Sequence, residues 1–140
     1  MSASSPSSAP AGPPVQQIAV AVVGDGGRWL VGQRAQNQTL GGLAEFPGGK
    51  VRPGESPQDA AVRECREETG LAVEVAGRFA PLEHEYAHGR LELHFFRCRP
   101  TGGGAPLPPF RWVETEDLAA LEFPAANRPI LAELLREHAP

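Results

Sequence analysis

Residues 49–71 read GKVRPGESPQDAAVRECREETGL, and this stretch decides how the rest of the chain is interpreted. Ser56 and Pro57 are typical of a helix start, because serine can accept a backbone hydrogen bond of the first turn and proline fits the first helical position. Gly70 suits the C-terminal end of the same helix. The sequence therefore predicts a short helix between Ser56 and Gly70.

Three glutamates share one face of this predicted helix. At 100° per residue, Glu64, Glu67 and Glu68 fall within about 100° of arc. Like charges at these spacings each cost an isolated helix about 0.2 to 0.5 kcal/mol. A purely structural helix gains nothing from such an arrangement, so the cluster indicates a functional site.

A glycine-rich segment precedes the helix. Residues 47–54 read PGGKVRPG, which predicts a loop whose exposed backbone can approach an anionic ligand, with cations nearby. Mg²⁺ is typically held by one or two carboxylates together with phosphate oxygens of the substrate, and it would offset the repulsion between the glutamates. Loop and helix together predict a site for Mg²⁺, with Mn²⁺ as a possible substitute, and for phosphate.

This stretch resembles the Nudix box, the signature of enzymes that hydrolyse a nucleoside diphosphate linked to another group. The matching positions are Gly49, Glu55, Arg63, Glu64, Glu67, Glu68 and Gly70. Cys65 stands where the family usually has an aliphatic residue, a mild departure because a buried thiol behaves as a small hydrophobe. The resemblance implies an α+β (mixed α/β) Nudix fold, with a mixed β-sheet sandwiched between helices and a loop-helix-loop catalytic motif.

Two further segments resemble the MutT branch of that family. They are residues 45–50, EFPGGK, and residues 123–127, FPAAN, and the similarity covers about residues 17–136. This branch hydrolyses oxidised guanine nucleotides such as 8-oxo-dGTP to the monophosphate and pyrophosphate. The resemblance therefore implies a nucleotide substrate and a role in sanitising the nucleotide pool.

The same resemblance implies roles for individual residues. The implied metal ligands are the backbone carbonyl of Gly48 and the carboxylates of Glu64, Glu67 and Glu68. The implied catalytic groups are Arg63, which orients Glu64, and Lys50, which lies near the phosphates. The charge of a triphosphate repels the attacking water, so a carboxylate must take the proton of that water, and we assign this catalytic role to Glu64. The implied substrate-binding residues are Arg34, Arg90, Asn127, Val20, Phe46 and Pro124.

Several of these residues have a second interpretation. Arg34 and Arg90 also fit cations at strand ends, and Asn127 fits the N-cap of the last helix. The family pattern includes one more metal-binding glutamate, yet no acidic residue stands between Glu92 and Glu114. The candidates to replace it are Glu45, Glu83, Glu85 and Glu92.

One other motif points to different chemistry. Residues 84–88 read HEYAH, which on a helix would bind zinc through His84 and His88, with Glu85 as general base. The flanking pattern instead predicts extended chain, in which the two histidines would be about 13 Å apart. We therefore expect no shared metal there.

Length, composition and charge limit the number of domains, the binding partners and the cellular compartment. With 140 residues, 41% hydrophobic, we expect one domain at residues 15–140 after a disordered tail of Ser, Ala and Pro at residues 1–14. The net charge of −4 argues against binding to nucleic-acid polymers or anionic membranes. Cys65 and Cys98 make no disulfide framework, although a single bridge remains possible, so we expect a cytoplasmic protein. No obligate protein partner is implied, and the chain is expected to be a monomer or a homodimer.

Apolar runs and alternation predict the other elements. The expected strands cover residues 18–23, 29–34, 43–46, 71–75, 78–85, 91–98 and 110–113, and two further helices cover residues 116–121 and 127–137. The sequence leaves three functions open. They are a MutT-like nucleotide diphosphatase, a Nudix hydrolase for CTP, dCTP or dinucleoside polyphosphates, and a Nudix-fold binding module without chemistry.

Overall fold

The computed structural model describes residues 15–37, 41–86 and 89–138, although not the side chain of Tyr86. The predicted tail at residues 1–14 lies outside this part of the chain. In chain order the elements are β1 (Val15–Asp25), β2 (Arg28–Gln33), β3 (Ala44–Glu45), β4 (Gly48–Lys50), α1 (Pro57–Thr69), β5 (Val73–Arg78), β6 (Leu82–Tyr86), β7 (Gly89–Pro100), β8 (Arg111–Glu114) and α2 (Arg128–His138). Two 3-10 segments, Thr115–Ala120 and Ala125–Asn127, precede α2.

Strand β1 lies at the centre of a mixed sheet. It runs parallel to β7, from Val15 opposite Arg90 to Val23 opposite Cys98, and antiparallel to β4 and the start of β2. The strand order is β3-β2-β1-β7-β5, with β4 beside β1, β6 beside β7 and β8 beside β2. The expected mixed sheet is confirmed.

The two α-helices cover opposite faces of this sheet. Alternate residues of β1 and β7 point to opposite sides, so each face has its own apolar cluster. The cluster on the α1 side includes Ala19, Ala21, Val23, Ala60, Ala61, Cys65 and Phe96. The cluster on the α2 side includes Val22, Leu93, Phe95, Leu118, Ile130 and Leu134. The expected sandwich of a sheet between helices is confirmed.

Helix α1 has the predicted ends. The Ser56 hydroxyl accepts a hydrogen bond from the Asp59 backbone N–H at 3.0 Å, and Gly70 ends the helix in the left-handed region at φ 79°. The buried Thr69 hydroxyl donates to the Cys65 carbonyl at 2.7 Å and accepts from the Leu71 N–H at 3.1 Å. Both ends of the helix are therefore fixed by specific bonds, which holds its acidic face in one orientation.

The predicted glycine loop is partly wrong, because residues 48–50 form strand β4. Gly48, Gly49 and Lys50 pair antiparallel with Val20, Ala19 and Ile18. A Cβ atom at Gly48 would come within 2.5 Å of the Ala19 carbonyl oxygen. Gly48 thus serves close packing between backbones, and the irregular turn begins only after Lys50.

Two other element predictions need correction. Strand β5 runs through residues 73–78, across the gap that separated two predicted strands, because a β-bulge near Gly77 keeps it paired with β7. Residues 115–120 form a 3-10 segment rather than an α-helix. The element is too short to gain much from α-helical bonding.

The two cysteines are buried and neither is part of a disulfide. Burial raises the pKa of the Cys98 thiol to about 12. Within the described residues the α-helices α1 and α2 have 13 and 11 residues, and neither combines the length and apolar composition of a membrane span.

Substitution of Gly48 by alanine tests the close packing of β4 on β1. We expect Gly48→Ala to lower the free energy of unfolding by about 1 to 3 kcal/mol, because the added methyl group meets backbone that must shift. Chemical denaturation measures the effect. Gly77→Ala is the matched control, since a Cβ atom there meets nothing within 4 Å. Equal stability of the two variants would contradict the packing argument.

Candidate active site

The guanidinium group of Arg63 organises the segment before α1. Its Nε and Nη2 atoms donate to the two carboxylate oxygens of Glu55 at 2.7 and 2.9 Å, and Nη2 also donates to the Lys50 carbonyl at 3.1 Å. Its Nη1 atom donates to Glu64 at 2.9 Å and to Glu67 at 3.2 Å. All five N–H groups of this side chain are used. Arg63 thus ties residues 50–55 to the helix and fixes the Glu64 carboxylate.

The Arg63–Glu55 pair is largely shielded from solvent, with side chains 18% and 16% exposed. The hydrogen bonds from Arg63 and the backbone N–H of Arg52 lower the pKa of Glu55 to about 2, and Glu55 in turn raises the pKa of Arg63. Both groups are therefore charged at neutral pH. Arg63 also pairs with Glu64 and Glu67, so the single positive charge of this side chain is shared among three carboxylates.

The side chain of Glu64, on helix α1, packs directly against strand β4. Its side chain is 16% exposed, and a Cβ atom at Gly49 would lie 2.5 Å from its carboxyl carbon. Any residue other than glycine at position 49 would displace this carboxylate. The glycine and the glutamate, fifteen positions apart in the chain, are thus one structural unit.

Glu68 reaches the other glycine of this strand. It accepts a hydrogen bond from the Gly48 backbone N–H at 3.2 Å. Burial, together with the neighbouring charges of Glu64 and Glu45, raises the pKa of Glu68 to about 7, although the bond from Gly48 acts in the opposite direction. The structure therefore brings Glu64, Glu68 and Gly48 together, and their role as metal ligands stays a prediction.

The chemistry of these groups fits a hard divalent cation, since carboxylate and carbonyl oxygens are its preferred ligands and a positive charge would relieve their repulsion. Glu67 lies further out, 48% exposed and paired with Arg63 and Arg52. Among the described residues, no three acidic, histidine or cysteine side chains are close enough to hold an ion as they stand. Binding would therefore require the carboxylates to move towards one another.

An apolar cleft of about 410 Å³ opens beside the carboxylates. Its lining residues are Ile18, Val20, Arg34, Glu45, Phe46, Gly48, His84, Leu91, Leu93, Phe95, Pro124, Ala125, Ala126 and Asn127. Alternate residues of β1 and β7 form the floor, and residues 124–127 form one wall. The cleft meets the carboxylate cluster at Gly48, which belongs to both.

Arg34 and Glu45 form an ion pair inside this cleft. Arg34 Nη1 and Glu45 Oε1 are 3.0 Å apart, with side chains 31% and 27% exposed. Glu45 is also close enough to Glu68 to raise the pKa of that carboxyl. The pair therefore lies between the apolar cleft and the acidic cluster.

Asn127 lies on the wall of the cleft, next to Pro124. Its amide nitrogen donates to the Pro124 carbonyl at 3.3 Å, and its backbone N–H donates to the same oxygen at 2.9 Å. Among the described hydrogen bonds, none has the Asn127 side-chain oxygen capping α2, which begins at Arg128. The side chain is therefore held at the cleft and does not act as the N-cap that its sequence position also allowed.

Comparison with known proteins identifies this arrangement. Residues 18–133 match the family model of the NUDIX domain. The chain belongs to the Nudix family. The expected family, fold and hydrolase class are thereby confirmed.

Individual relatives cover most of the chain. An 8-oxo-dGTP diphosphatase of Escherichia coli strain K12 is 34% identical over 124 residues, which cover 86% of this chain and 96% of that protein. A CTP pyrophosphohydrolase of the same strain is 32% identical over 113 residues, covering 79% of this chain and 82% of that protein. The solution structure of the E. coli ORF135 protein has a TM-score of 0.74 at 28% identity, covering 89% of this chain and 91% of that one.

Within this Nudix domain, Arg90 is the one predicted substrate residue that does not line the cleft. It alternates with Leu91 on β7 and so points to the α1 face, near Glu92. Its Nε atom is buried and has no hydrogen-bond partner among the residues that the structure describes. The predicted contact between Arg90 and the nucleotide therefore has no support from the cleft geometry.

Sequence reasoning missed much of the cleft floor. Ile18, Leu91, Leu93 and Phe95 line it, but only Val20 and Pro124 were predicted as apolar contacts besides Phe46. The signal was available in part, because these residues alternate along β1 and β7. The pairing of strands that are distant in the sequence decides which face of the sheet carries the cleft. No local sequence pattern predicts this pairing.

The zinc motif does not form in the described residues. His84 and Glu85 belong to strand β6, where they pair with Leu91 and Arg90. His88 lies outside the described residues. The extended backbone at His84 contradicts the helix that the zinc interpretation requires.

The raised pKa of Glu68 leads to a prediction for how the stability of the fold depends on pH. Because the folded-state pKa of about 7 exceeds the ordinary value of 4.5, ionisation destabilises the fold progressively as pH rises between these values. With metal chelated, we expect Glu68→Gln to be more stable than the wild type at about pH 8, since glutamine keeps the Gly48 bond without the charge.

Urea denaturation at about pH 5 and about pH 8 checks this expectation. The difference in the free energy of unfolding between the variant and the wild type should be smaller at the lower pH. Glu122→Gln, at an exposed position, serves as the control for removing a surface carboxylate. A Glu68→Gln variant that is less stable than the wild type at both pH values would refute the argument.

Proposed function

We propose that this chain hydrolyses nucleoside triphosphates to the monophosphate and pyrophosphate, with oxidised guanine nucleotides such as 8-oxo-dGTP as preferred substrates. One observation carries the proposal: the apolar cleft and the Nudix carboxylates meet at Gly48. A base in the cleft would direct its phosphates towards Glu64 and Glu68. The relative named 8-oxo-dGTP diphosphatase supports this choice of substrate.

The residues that would hold Mg²⁺ or Mn²⁺ are Glu64, Glu68 and the Gly48 carbonyl, with Glu67 at the outer side. When bound, such an ion neutralises phosphate charge and activates water. The chain's own task is to keep these oxygens in place. Arg63 does so by holding one carboxylate oxygen of Glu64 at 2.9 Å.

We assign Glu64 as the general base. Arg63 donates to its Oε2 atom, so Oε1 would accept the proton of the attacking water, and the ion would then be held mainly by Glu67, Glu68 and the Gly48 carbonyl. The backbone carbonyl of Lys50 accepts a bond from Arg63, so the start of the turn is fixed as well. The exposed side chain of Lys50 would then lie near the leaving phosphates, a role that stays a prediction.

Glu45 is our candidate for the missing acidic residue of the family pattern. It lines the cleft beside Gly48, and its charge acts on Glu68. The alternatives are less suitable: Glu83 and Glu85 are exposed on β6, and Glu92 is bound to Gln17 at 2.8 Å and to His94 at 3.0 Å. Arg34, paired with Glu45, would turn towards substrate phosphate.

The first test combines substrate selection with loss of the base. We expect the wild type to hydrolyse 8-oxo-dGTP faster than dGTP, CTP or dinucleoside polyphosphates, only with Mg²⁺ or Mn²⁺ present. Glu64→Gln should lower kcat on the order of 10²-fold or more, because general-base catalysis contributes about that much. Chromatography of the products measures both effects.

Glu122→Gln is the control variant for this experiment, since it removes an exposed carboxylate outside the site. Preferred hydrolysis of CTP would favour the second candidate, which the similar CTP pyrophosphohydrolase supports. Binding without turnover of any nucleotide would indicate a non-catalytic module. An unchanged kcat in Glu64→Gln would show that another residue is the base.

Asn127 provides a test of base recognition. Its amide offers a donor and an acceptor, and 8-oxoguanine differs from guanine by a carbonyl at C8 and a protonated N7. We expect Asn127→Ala to reduce kcat/KM for 8-oxo-dGTP roughly ten- to a hundredfold more than for dGTP, as a lost hydrogen bond in a buried pocket costs about 1 to 3 kcal/mol.

The comparison variant Asn127→Asp keeps the size of the side chain and an acceptor but removes the amide donor. Steady-state kinetics on both nucleotides, with thermal denaturation alongside, separates recognition from folding. Equal losses on every nucleotide, or a loss of thermal stability alone, would remove Asn127 from base recognition.

A further inference from the structure

His84 lies on the same sheet face as the floor of the cleft. Strand β6 pairs antiparallel with β7, with His84 opposite Leu91 and Leu82 opposite Leu93. Directly paired residues point to the same face of a sheet. Leu91 and Leu93 line the cleft, and so does His84.

The polar side chains of the cleft differ in whether their hydrogen-bonding capacity is used. Arg34 and Glu45 are bound to each other, and the Asn127 amide donates to Pro124. Within the described residues, His84 has no hydrogen-bond or ion-pair partner. Neutral imidazole has one donor, one acceptor and a flat ring, and here all of these are available to a ligand.

The position of His84 excludes contact with the reacting phosphates. From Gly48 to His84 the sheet crosses β1 and β7, which is about 14 Å at ordinary strand spacing. Phe95 lies in line with Gly48 across the sheet, because both are paired with Val20. The step along β7 from Phe95 to Leu91 adds about 13 Å at right angles to the first distance. The side chain is therefore at the end of the cleft far from the carboxylates.

We propose that His84 contacts the base of the bound nucleotide and is a specificity-determining residue of the cleft. This inference rests on the proposed nucleotide hydrolysis, because it assigns the far end of the same cleft to the base. His84 contributes to binding and takes no part in bond cleavage. Its removal should consequently raise KM and leave kcat unchanged.

The chain offers a matched control on the same strand. Glu85 is the next residue of β6, is exposed, and points to the opposite face because side chains alternate. Glu85→Ala therefore truncates an exposed side chain at the same sheet edge without touching the cleft. Thermal denaturation of both variants establishes that the fold is intact.

The experiment uses the full chain and two probes. Calorimetry in the presence of a chelator measures the affinity for 8-oxo-dGMP, and steady-state kinetics with Mg²⁺ measures kcat and KM for 8-oxo-dGTP. We expect His84→Ala to weaken binding of the monophosphate and to raise KM by about tenfold, the size of one lost polar contact. Glu85→Ala should stay within about twofold of the wild type, as surface truncations do.

Inorganic pyrophosphate, which lacks a base, is the second probe. Its inhibition constant should be the same for the wild type and His84→Ala, because His84 does not reach the phosphates. A conservative variant, His84→Gln, keeps a donor and an acceptor, and partial recovery of affinity supports the contact with the base.

Two failures are distinguishable. If the wild type hydrolyses the nucleotide and His84→Ala binds the monophosphate as Glu85→Ala does, the role of His84 is overturned while the proposed function stands. If the wild type neither binds nor hydrolyses any nucleotide of the panel, the proposed function falls and the inference falls with it. If another nucleotide is the substrate, its own monophosphate replaces 8-oxo-dGMP as the probe, and the same comparison decides.

Discussion

The guanidinium of Arg63 is the constraint on which the site depends. A planar group with five N–H donors bridges Glu55, the Lys50 carbonyl and two glutamates of α1. Lysine has a rotating ammonium in place of this rigid fork and would not meet the same acceptors at once. Arg63 joins the turn before α1 to the helix itself, and together with the bond from the Gly48 N–H to Glu68 it holds the acidic face against strand β4.

Negative charge is in excess around Glu68. Arg63 is shared among Glu55, Glu64 and Glu67, whereas the partly buried Glu68 has the negative charges of Glu64 and Glu45 as neighbours. A folded protein selected for stability alone would separate or neutralise such groups, since crowding of like charges raises the pKa of a buried carboxyl and lowers stability. The strain is confined to a short helix whose ends are fixed by Ser56 and Gly70. A cation that binds there gains the free energy released when this repulsion is relieved.

The sequence predicted well where the signal was local. Ser56 and Gly70 predicted the ends of α1, because caps act within a few residues of the helix. Gly48 was misread as part of a loop, since glycine permits both a turn and a close backbone approach, and only the pairing with β1 distinguishes them. Arg90 fell on the wrong face because a shift of one residue along a strand reverses its side-chain direction. His84 was set aside with the zinc motif, as its place beside Leu91 follows from strand register and has no sequence signature.

The cleft and the Glu64 carboxylate lie on different sides of one short strand, and Gly48 joins them because it lines the cleft and bonds to Glu68. Gly49 faces α1, where its missing side chain leaves room for the Glu64 carboxylate, while Gly48 lines the cleft on the α2 side. Neither glycine offers a side chain through which a change in the cleft would displace the carboxylates of α1. The base contacts that we propose for Asn127 and His84 come from elements separate from α1. Substrate preference in such a domain is therefore free to change through the cleft wall and floor, while Arg63 keeps the acidic face in the same position.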